Sequence, residues 1–173
     1  MKELFLMDMK NYIDKPITIF SRPSVRAVII KDNRLAMIYS TKYDYYKFPG
    51  GGINSGETNE NALVRETAEE AGLDIIVDSI KEWGHVLVKE KGTDEDLFIQ
   101  DNFYYFANVR DNLVSRNLDD YEEQEGYELR FVSPEIILDT NINHNHNDYK
   151  DLTMIKRENK AVELLVGEKY IKL

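Results

Sequence analysis

One stretch, FPGGGINSGETNENALVRETAEEAGL from Phe48 to Leu73, constrains the fold more than any other part of the chain. Its glycines allow the backbone to bend sharply and to approach another group closely. The residues from about Asn59 to Ala71 contain neither Pro nor Gly, and their pattern predicts a helix that Thr58 caps and Gly72 ends. The sequence therefore predicts a tight glycine bend followed directly by one short helix.

The predicted helix has two unlike faces. Successive helical residues turn by about 100°, which places Glu66, Glu69 and Glu70 on the same side. The opposite side carries small and apolar residues that can pack on a sheet: Leu63, Val64, Thr67, Ala68 and Ala71. Neighbouring like charges destabilise a helix by about 0.2–0.5 kcal/mol per pair. A divalent cation would cancel this repulsion, because Mg²⁺ and Mn²⁺ prefer carboxylate and carbonyl oxygens.

Each of these features alone has a simpler interpretation. An acidic helix face is usually just solvated, and a short glycine run is usually an ordinary turn. Their position side by side favours a metal site.

The remainder of the chain indicates strands with a few helices, within one domain spanning 1–173. We predict strands at ITIFS, VRAVII, RLAMIYS, YYKF, DIIVDSI, WGHVLVKE, LFIQDNFYYFANV and YELRFVS. KDNR reads as a hairpin turn, PEIILDT as a short helix, NINHNHNDY as a loop, and about 148–166 as a C-terminal helix that Asp148 caps. Residues 1–23 are interpreted as an N-terminal extension with one added strand. Strands mixed with two substantial helices predict a mixed sheet covered on both faces.

Composition limits the class of partner and the compartment. Acidic residues outnumber basic ones by 32 to 22, so the net charge is −10, which disfavours nucleic acid polymers and anionic membranes as partners. A polyanionic substrate would then need a metal cation. The absence of cysteine excludes disulfides and thiolate chemistry. No signal sequence or membrane span is recognisable, so the expected location is the cytoplasm.

Eight residues of the opening stretch match the spacing G-x5-E-x7-R-E-U-x-E-E-x-G-U, where U is a bulky aliphatic residue: Gly51, Glu57, Arg65, Glu66, Glu69, Glu70, Gly72 and Leu73. This pattern resembles the signature of the Nudix hydrolases, the MutT-like enzymes. The resemblance implies an α/β fold, a Nudix-type α/β/α sandwich with a mixed central sheet flanked by helices. Two positions depart from the family pattern. Thr67 replaces a larger aliphatic residue, and Asn54 replaces a residue that is acidic in many members.

The resemblance also implies a set of site residues. Glu66, Glu69, Glu70 and the carbonyl of Gly50 are expected to bind Mg²⁺ or Mn²⁺. The implied catalytic set is Glu69, Arg65 and Glu57. In that set Glu69 is the first candidate for the general base, and the other two form an ion pair that positions the loop. A base from a later loop is the alternative: Glu122, Glu123 or Glu125.

The implied activity is hydrolysis of the pyrophosphate in a nucleoside diphosphate linked to another moiety. A nucleoside triphosphate, a nucleotide sugar and ADP-ribose all fit this description, and the sequence leaves the choice open. A noncatalytic nucleotide sensor of the same fold is the alternative, and a homodimer is left open. The isomerase branch of the fold is disfavoured because its expected cysteine is absent.

Two further groups are candidates for ligand contact, although each more often has a structural role. Aromatic side chains close to the glycines could stack on a nucleobase: Tyr39, Tyr43, Tyr45 and Tyr46. The loop histidines His144 and His146 could bind a metal, but such residues are usually exposed to solvent.

Overall fold

The computed structural model describes residues 1–173, which form eleven strands, four α-helices and one 3₁₀ turn. The strands are β1 (Glu3–Asp8), β2 (Ile19–Ser21), β3 (Ser24–Val28), β4 (Ile30–Lys31), β5 (Arg34–Ser40), β6 (Tyr45–Lys47), β7 (Leu73–Ile75), β8 (Lys81–Glu90), β9 (Leu97–Phe106), β10 (Val109–Leu113) and β11 (Tyr127–Val132). The helices are α1 (Asn59–Ala71), α2 (Asp120–Glu125), α3 (Pro134–Asn143) and α4 (Leu152–Gly167), and the 3₁₀ turn is Val77–Ser79. None of the helices is long and apolar enough to cross a bilayer.

The strands form mixed sheets, as the sequence predicts. One sheet has the order β1-β8-β9-β2, with β3 also paired to β9. Its β8–β9 pair is antiparallel, whereas β1, β2 and β3 join it in parallel. A second sheet has the order β11-β5-β4 with β6 on β5, and β7 pairs with β10. Only the β4–β5, β5–β6 and β8–β9 pairs join strands that are consecutive in sequence, and the other pairs join strands that lie far apart in the chain.

Strand β5 shows why helices lie on both sides of the sheet. Leu35 and Met37 belong to one buried cluster, while Ala36 and Ile38 belong to the other. Alternate residues of a strand point to opposite faces, so both faces of β5 are covered. The first cluster contains residues of α3 and α4: Ile137, Ala161, Val162 and Leu165. The second contains residues of α1: Ala62, Leu63 and Ala71. The predicted α/β architecture with helices on both faces is confirmed.

The hairpin and the central helix form where local sequence signals are strongest. KDNR forms the predicted hairpin turn between β4 and β5, where Asp32 and Asn33 both have positive φ, 50° and 56°, as in a type I′ turn. Helix α1 spans the predicted residues. The Thr58 side chain accepts from the backbone N–H of Asn61 at 3.2 Å, and Gly72 ends the helix with φ 66°.

Thr67 lies on the buried face of α1. Its side chain is fully buried, and its hydroxyl has no hydrogen-bond partner. The Nudix pattern has a larger aliphatic residue at this position. Thr67 instead buries a hydroxyl without a hydrogen bond, which is unfavourable.

Several element boundaries differ from the prediction because tertiary contacts decide them. The segment 1–23 contains two strands, since β1 pairs with β8 in addition to the strand predicted in ITIFS. Strand DIIVDSI stops at Ile75 and continues as the 3₁₀ turn. The stretch predicted as one long strand to Val109 is broken after Phe106, and β10 begins at Val109.

Three predictions near the C-terminal half were wrong. YEEQE belongs to helix α2 rather than to a loop. The first residues of NINHNHNDY continue α3 as far as Asn143. Helix α4 begins at Leu152 and is capped by Asp151, whose carboxylate accepts from the N–H of Met154 at 2.9 Å, whereas Asp148 precedes it with φ 65°.

Candidate active site

The glycine loop packs directly against the carboxylates of α1. Gly50 has φ 135°, and a side chain there would collide with the carbonyl of Val25. A side chain on Gly51 would collide with the Glu66 carboxylate. The backbone therefore approaches the helix at a distance that only glycine permits.

Arg65 joins the glycine loop to the helix. Its Nε and Nη2 donate to the two carboxylate oxygens of Glu57, each at 2.8 Å. Nη2 also donates to the carbonyl of Gly52 at 3.0 Å. Nη1 donates to Glu66 at 2.7 Å and to Glu69 at 3.1 Å. One guanidinium thus fixes the loop and two of the three clustered glutamates at once.

Arg65 and Glu57 form an ion pair between the helix and the glycine loop. Hydrogen bonds from Arg65 and from the N–H of Asn54 lower the pKa of Glu57 to about 2. The hydrogen bond to Glu57 in turn raises the pKa of Arg65. Both groups are therefore charged at all pH values where the protein would function.

Glu70 has a different environment from the other two glutamates. Its side chain is buried, and it accepts from Lys47 Nζ at 2.5 Å and from the N–H of Gly50 at 2.9 Å. The carbonyl of Gly50 accepts from Arg26 Nη1 and lies 3.4 Å from Lys47 Nζ. The three glutamates thus share one side of the helix as predicted, but Glu70 faces the protein interior.

A second acidic segment lies across the C-terminal end of α1. The N–H of Asn117 donates to the carbonyl of Glu69 at 3.0 Å, which holds the chain ahead of α2 against the helix. Asp119 and Glu122 form a capping box at the start of α2, with the Asp119 N–H donating to Glu122 Oε2 at 2.9 Å. Tyr121 donates its hydroxyl to Glu122 Oε1 at 2.9 Å. The D-x-x-E spacing of the capping box is a sequence signal that predicts this helix start.

Helix α2 places the three glutamates that the sequence leaves as alternative bases in three different environments. Glu122 is buried and faces α1, and burial together with the neighbouring Glu70 carboxylate raises its pKa to about 7. Glu125 accepts from the hydroxyl of Tyr45 at 2.7 Å. Glu123 is exposed. Of these three only Glu122 lines the cleft described next.

These segments enclose a polar cleft of about 370 Å³, which we call the acidic cleft. Its ten lining residues are Arg22, Gly52, Ile53, Asn54, Arg65, Glu66, Glu69, Asn117, Asp119 and Glu122. Four carboxylates therefore meet across the cleft, two from α1 and two from the start of α2. Burial raises the pKa of Glu66, although Arg65 opposes the shift. No sequence pattern predicts that Arg22, Asn117 or Asp119 belongs here, because tertiary contacts alone bring them to the cleft.

The donor chemistry of the cleft fits a hard divalent cation. Carboxylate oxygens from α1 and α2 and the nearby Gly50 carbonyl are the ligand types that Mg²⁺ and Mn²⁺ prefer. In this structure no three acidic or imidazole side chains are close enough to form a ready metal cage. The positive charges of Arg65 and Lys47 instead neutralise the glutamates through ion pairs.

The aromatic and histidine candidates lie elsewhere. Tyr45 and Tyr46 are core residues, and Tyr39 packs under the guanidinium of Arg130 at 3.6 Å. The tyrosines that line a cavity beside the glycine loop are Tyr121, Tyr127 and Tyr149. His144 contacts Asp44 at 2.7 Å, and His146 contacts backbone carbonyls of the same turn. Both histidines therefore hold the β5–β6 turn against the segment after α3.

Comparisons with known proteins identify the family. The family model described as NUDIX domain matches residues 20–152. The RNA pyrophosphohydrolase of Baumannia cicadellinicola subsp. Homalodisca coagulata is 46% identical over 54 residues, which cover 30% of this chain and 33% of that protein. The chain thus matches about a third of the length of this curated relative.

Two solved structures share the fold. One is from a study of MutT of Aliivibrio salmonicida and Vibrio cholerae, with TM-score 0.55 and 16% identity, and it covers 86% of this chain and 99% of the other. An ADP-ribose pyrophosphatase from Streptococcus suis has TM-score 0.51 and 14% identity, covering 88% of this chain and 94% of the other. The glycine loop, the acidic helix and the family match over residues 20–152 all indicate the same family, and the chain belongs to the Nudix hydrolases.

Proposed function

We propose that this protein is a Mg²⁺-dependent pyrophosphohydrolase, with Mn²⁺ as a substitute. Its substrate would be a nucleoside diphosphate linked to another moiety. The observation that carries the proposal is the acidic cleft, where Glu66 and Glu69 face Asp119 and Glu122 beside a glycine loop. Carboxylates gathered from two separate helices, with arginines at the rim, suit a site that must hold both cations and phosphates.

We assign the metal ligands as Glu66, Glu69, Glu70 and the Gly50 carbonyl. A bound divalent ion would neutralise phosphate oxygens and lower the pKa of a water molecule. The chain holds Glu66 and Glu69 ready through Arg65, whereas Glu70 must exchange its contact with Lys47 for the ion.

The reaction adds water across one phosphoanhydride bond. The water oxygen forms a bond to one phosphorus, the bridging P–O bond breaks, and two phosphate products leave with the released proton on a base. Glu69 is our first choice for that base because its carboxylate is about one-third exposed in the cleft. Glu122 is the alternative, but its two oxygens already accept from Asp119 and Tyr121.

Glutamine substitutions test the choice of base. Purified protein would be incubated with Mg²⁺ and a panel of nucleoside triphosphates, dinucleotides and nucleotide sugars, with phosphate release measured after phosphatase coupling. Glu69→Gln should lower kcat by about 10²- to 10⁴-fold, the usual contribution of a general base. Glu122→Gln should lower kcat far less, and Glu123→Gln on the exposed side of α2 is the matched control. A larger loss in Glu122→Gln than in Glu69→Gln would reverse the assignment.

The same panel separates an enzyme from a sensor. A noncatalytic nucleotide sensor would bind members of the panel in calorimetry without hydrolysing any of them. Full activity in both Glu69→Gln and Glu70→Gln would contradict the mechanism.

The partner is proposed to be a small nucleotide. Curated relatives are named RNA pyrophosphohydrolase, which makes the 5′ end of RNA a second candidate. The net charge of −10 disfavours a long polyanion, so the small molecule is preferred. The cytoplasmic location and the homodimer stay predictions.

A further inference from the structure

A second cavity lies against the glycine loop and is lined by Gly50, Gly51 and Gly52. It has a volume of about 160 Å³ and shares Arg22 and Gly52 with the acidic cleft. We call it the basic pocket, defined by four cationic side chains: Arg22, Arg26, Lys47 and Arg157. One carboxylate, Asp151, also lines it, and that group already caps α4.

Arg26 is the buried cation of the basic pocket whose charge no carboxylate of the protein pairs with directly. It is only 7% exposed, its Nη1 donates to the carbonyl of Gly50, and its Nε has no hydrogen-bond partner. No carboxylate of the chain forms an ion pair with Arg26 or with Arg22. The Glu66 carboxylate is close enough to interact electrostatically with Arg26 but does not pair with it, and a buried charge without a directly paired partner is unfavourable. Because the chain has 32 acidic residues, a shortage of carboxylates does not explain this arrangement.

The other two cations each pair with a carboxylate in this structure. Arg157 donates to Glu158 at 2.6 Å and to the Gln100 side chain at 2.9 Å. Lys47 is held by Glu70 at 2.5 Å. Glu158 also accepts from the N–H of Phe48 at 2.8 Å, which ties α4 to the chain entering the glycine loop. Of the four cations only Arg157, in α4, lies beyond residues 20–152 that match the family, so the family match does not predict its place in the pocket.

We propose that the basic pocket binds a phosphoryl group of the substrate that lies beyond the pair cleaved over the acidic cleft. This inference rests on the proposed hydrolase function and names its substrate class as a 5′-triphosphate. The glycine loop between the two cavities allows one polyphosphate chain to contact both. Pockets that hold a whole small-molecule ligand measure about 300–1,000 Å³, so a cavity of about 160 Å³ suits one group of a larger molecule.

The charge of the pocket selects a phosphoryl group over a sugar. Guanidinium groups form paired, charge-assisted hydrogen bonds with phosphate oxygens. The neutral hydroxyls of a nucleotide sugar would leave Arg22 and Arg26 without a counter-ion. A free nucleoside triphosphate and a triphosphorylated RNA 5′ end present the same chemistry.

Binding without metal is the first test. Tripolyphosphate would be titrated into the full chain in EDTA by calorimetry, using wild type, Arg22→Gln, Arg26→Gln and the surface control Arg110→Gln. Arg110 pairs with Asp74 on an exposed strand. We expect Kd to rise by about 10- to 100-fold in the two pocket variants and to stay unchanged in the control. Equal affinity in all four proteins would overturn the inference.

Folding is controlled separately. Arg26→Gln removes a buried charge but also the hydrogen bond to the Gly50 carbonyl, so the two effects oppose each other and its melting temperature without ligand should stay within about 4 °C of wild type. Arg22 is exposed, so Arg22→Gln should have the same melting temperature as wild type. If both variants fold and tripolyphosphate binding is unaffected, the pocket does not bind phosphate.

Turnover with Mg²⁺ assigns the substrate. Arg22 also lines the acidic cleft and Arg26 also contacts the Gly50 carbonyl, so both variants should lose some activity on every substrate. The loss in kcat/KM should nevertheless be at least about 10-fold larger for a nucleoside triphosphate and for a triphosphorylated RNA oligonucleotide than for ADP-ribose. Of the nucleoside triphosphate and the triphosphorylated RNA, the one with the higher kcat/KM in wild type is assigned as the substrate. Wild type that cleaves only nucleotide sugars would overturn the inference and leave the hydrolase proposal intact. Tripolyphosphate binding that is lost in the variants, with no hydrolysis of any diphosphate compound, would overturn the hydrolase proposal instead.

Discussion

Replacing Arg65 by lysine should damage both stability and activity, although the charge is kept. Arg65 makes two hydrogen bonds to Glu57, one to the Gly52 carbonyl, and one each to Glu66 and Glu69. A lysine ammonium is a compact point charge and cannot reproduce the planar fork that reaches the loop and the helix simultaneously.

The size of the effect follows from the hydrogen bonds that a lysine cannot make. Hydrogen bonds to charged groups contribute about 1.5–3 kcal/mol each, and lysine should forfeit at least two of the five. Arg65 is 28% exposed and lysine retains part of the attraction, so we reduce the expected loss to about 2 kcal/mol. For a chain of this size such a loss lowers Tm by about 4–8 °C. Because Glu66 and Glu69 would also shift, kcat should fall by up to about 10²-fold.

Urea unfolding gives the stability change, and steady-state hydrolysis of the best panel substrate gives kcat. The matched control is Arg110→Lys, since Arg110 makes one exposed ion pair with Asp74 at 3.0 Å. That change should alter stability by less than about 0.5 kcal/mol and leave kcat unchanged. If Arg65→Lys behaves like Arg110→Lys in both assays, Arg65 does not position the site.

Three further predictions concern other parts of the molecule. Thr67→Val should stabilise the fold by about 1 kcal/mol, because it removes a buried hydroxyl without a partner; Thr153→Val, which breaks a 2.9 Å hydrogen bond to Glu90, should destabilise it in the same thermal melts. The pKa of Glu57 is lowered from 4.5 to about 2 in the folded protein, so its stabilising contribution is complete above about pH 4.5 and is lost as the pH falls toward 2. Between pH 2 and 6 the urea midpoint should therefore change less steeply with pH in Glu57→Gln than in wild type. EDTA should abolish hydrolysis and added Mg²⁺ should restore it, whereas Glu69→Gln should stay inactive after the metal returns.

The predictable part of this molecule is the part coded by neighbours in sequence. Helix α1, its Thr58 cap and its Gly72 terminus depend on contacts within a few residues, and all three are confirmed. The KDNR hairpin depends on two adjacent residues that tolerate positive φ. The Nudix spacing is equally local, because one continuous segment from Gly51 to Leu73 carries it.

The unpredicted part depends on distant contacts. Strand β1 has no clean alternation, and it forms because its edge pairs with β8, which lies far away in sequence. Helix α2 has only six residues, too few to show a helical period, and Glu122 is buried only because α1 lies opposite. Tyr45 and Tyr46 are near the glycines in sequence, yet the pleat of β6 turns both rings into buried positions.

This difference explains why the sequence indicates the chemistry but leaves the substrate open. Two of the four carboxylates of the acidic cleft, Glu66 and Glu69, come from α1, so a spacing rule captures this half of the cleft. The basic pocket draws Arg26 from β3, Lys47 from β6 and Arg157 from α4. No short pattern joins residues from opposite ends of the chain, because only packing of α4 on the glycine loop side brings them together. On the proposal above, substrate choice depends on this pocket, which the tertiary fold assembles, and substitutions in α4 should change specificity while the acidic helix remains the same.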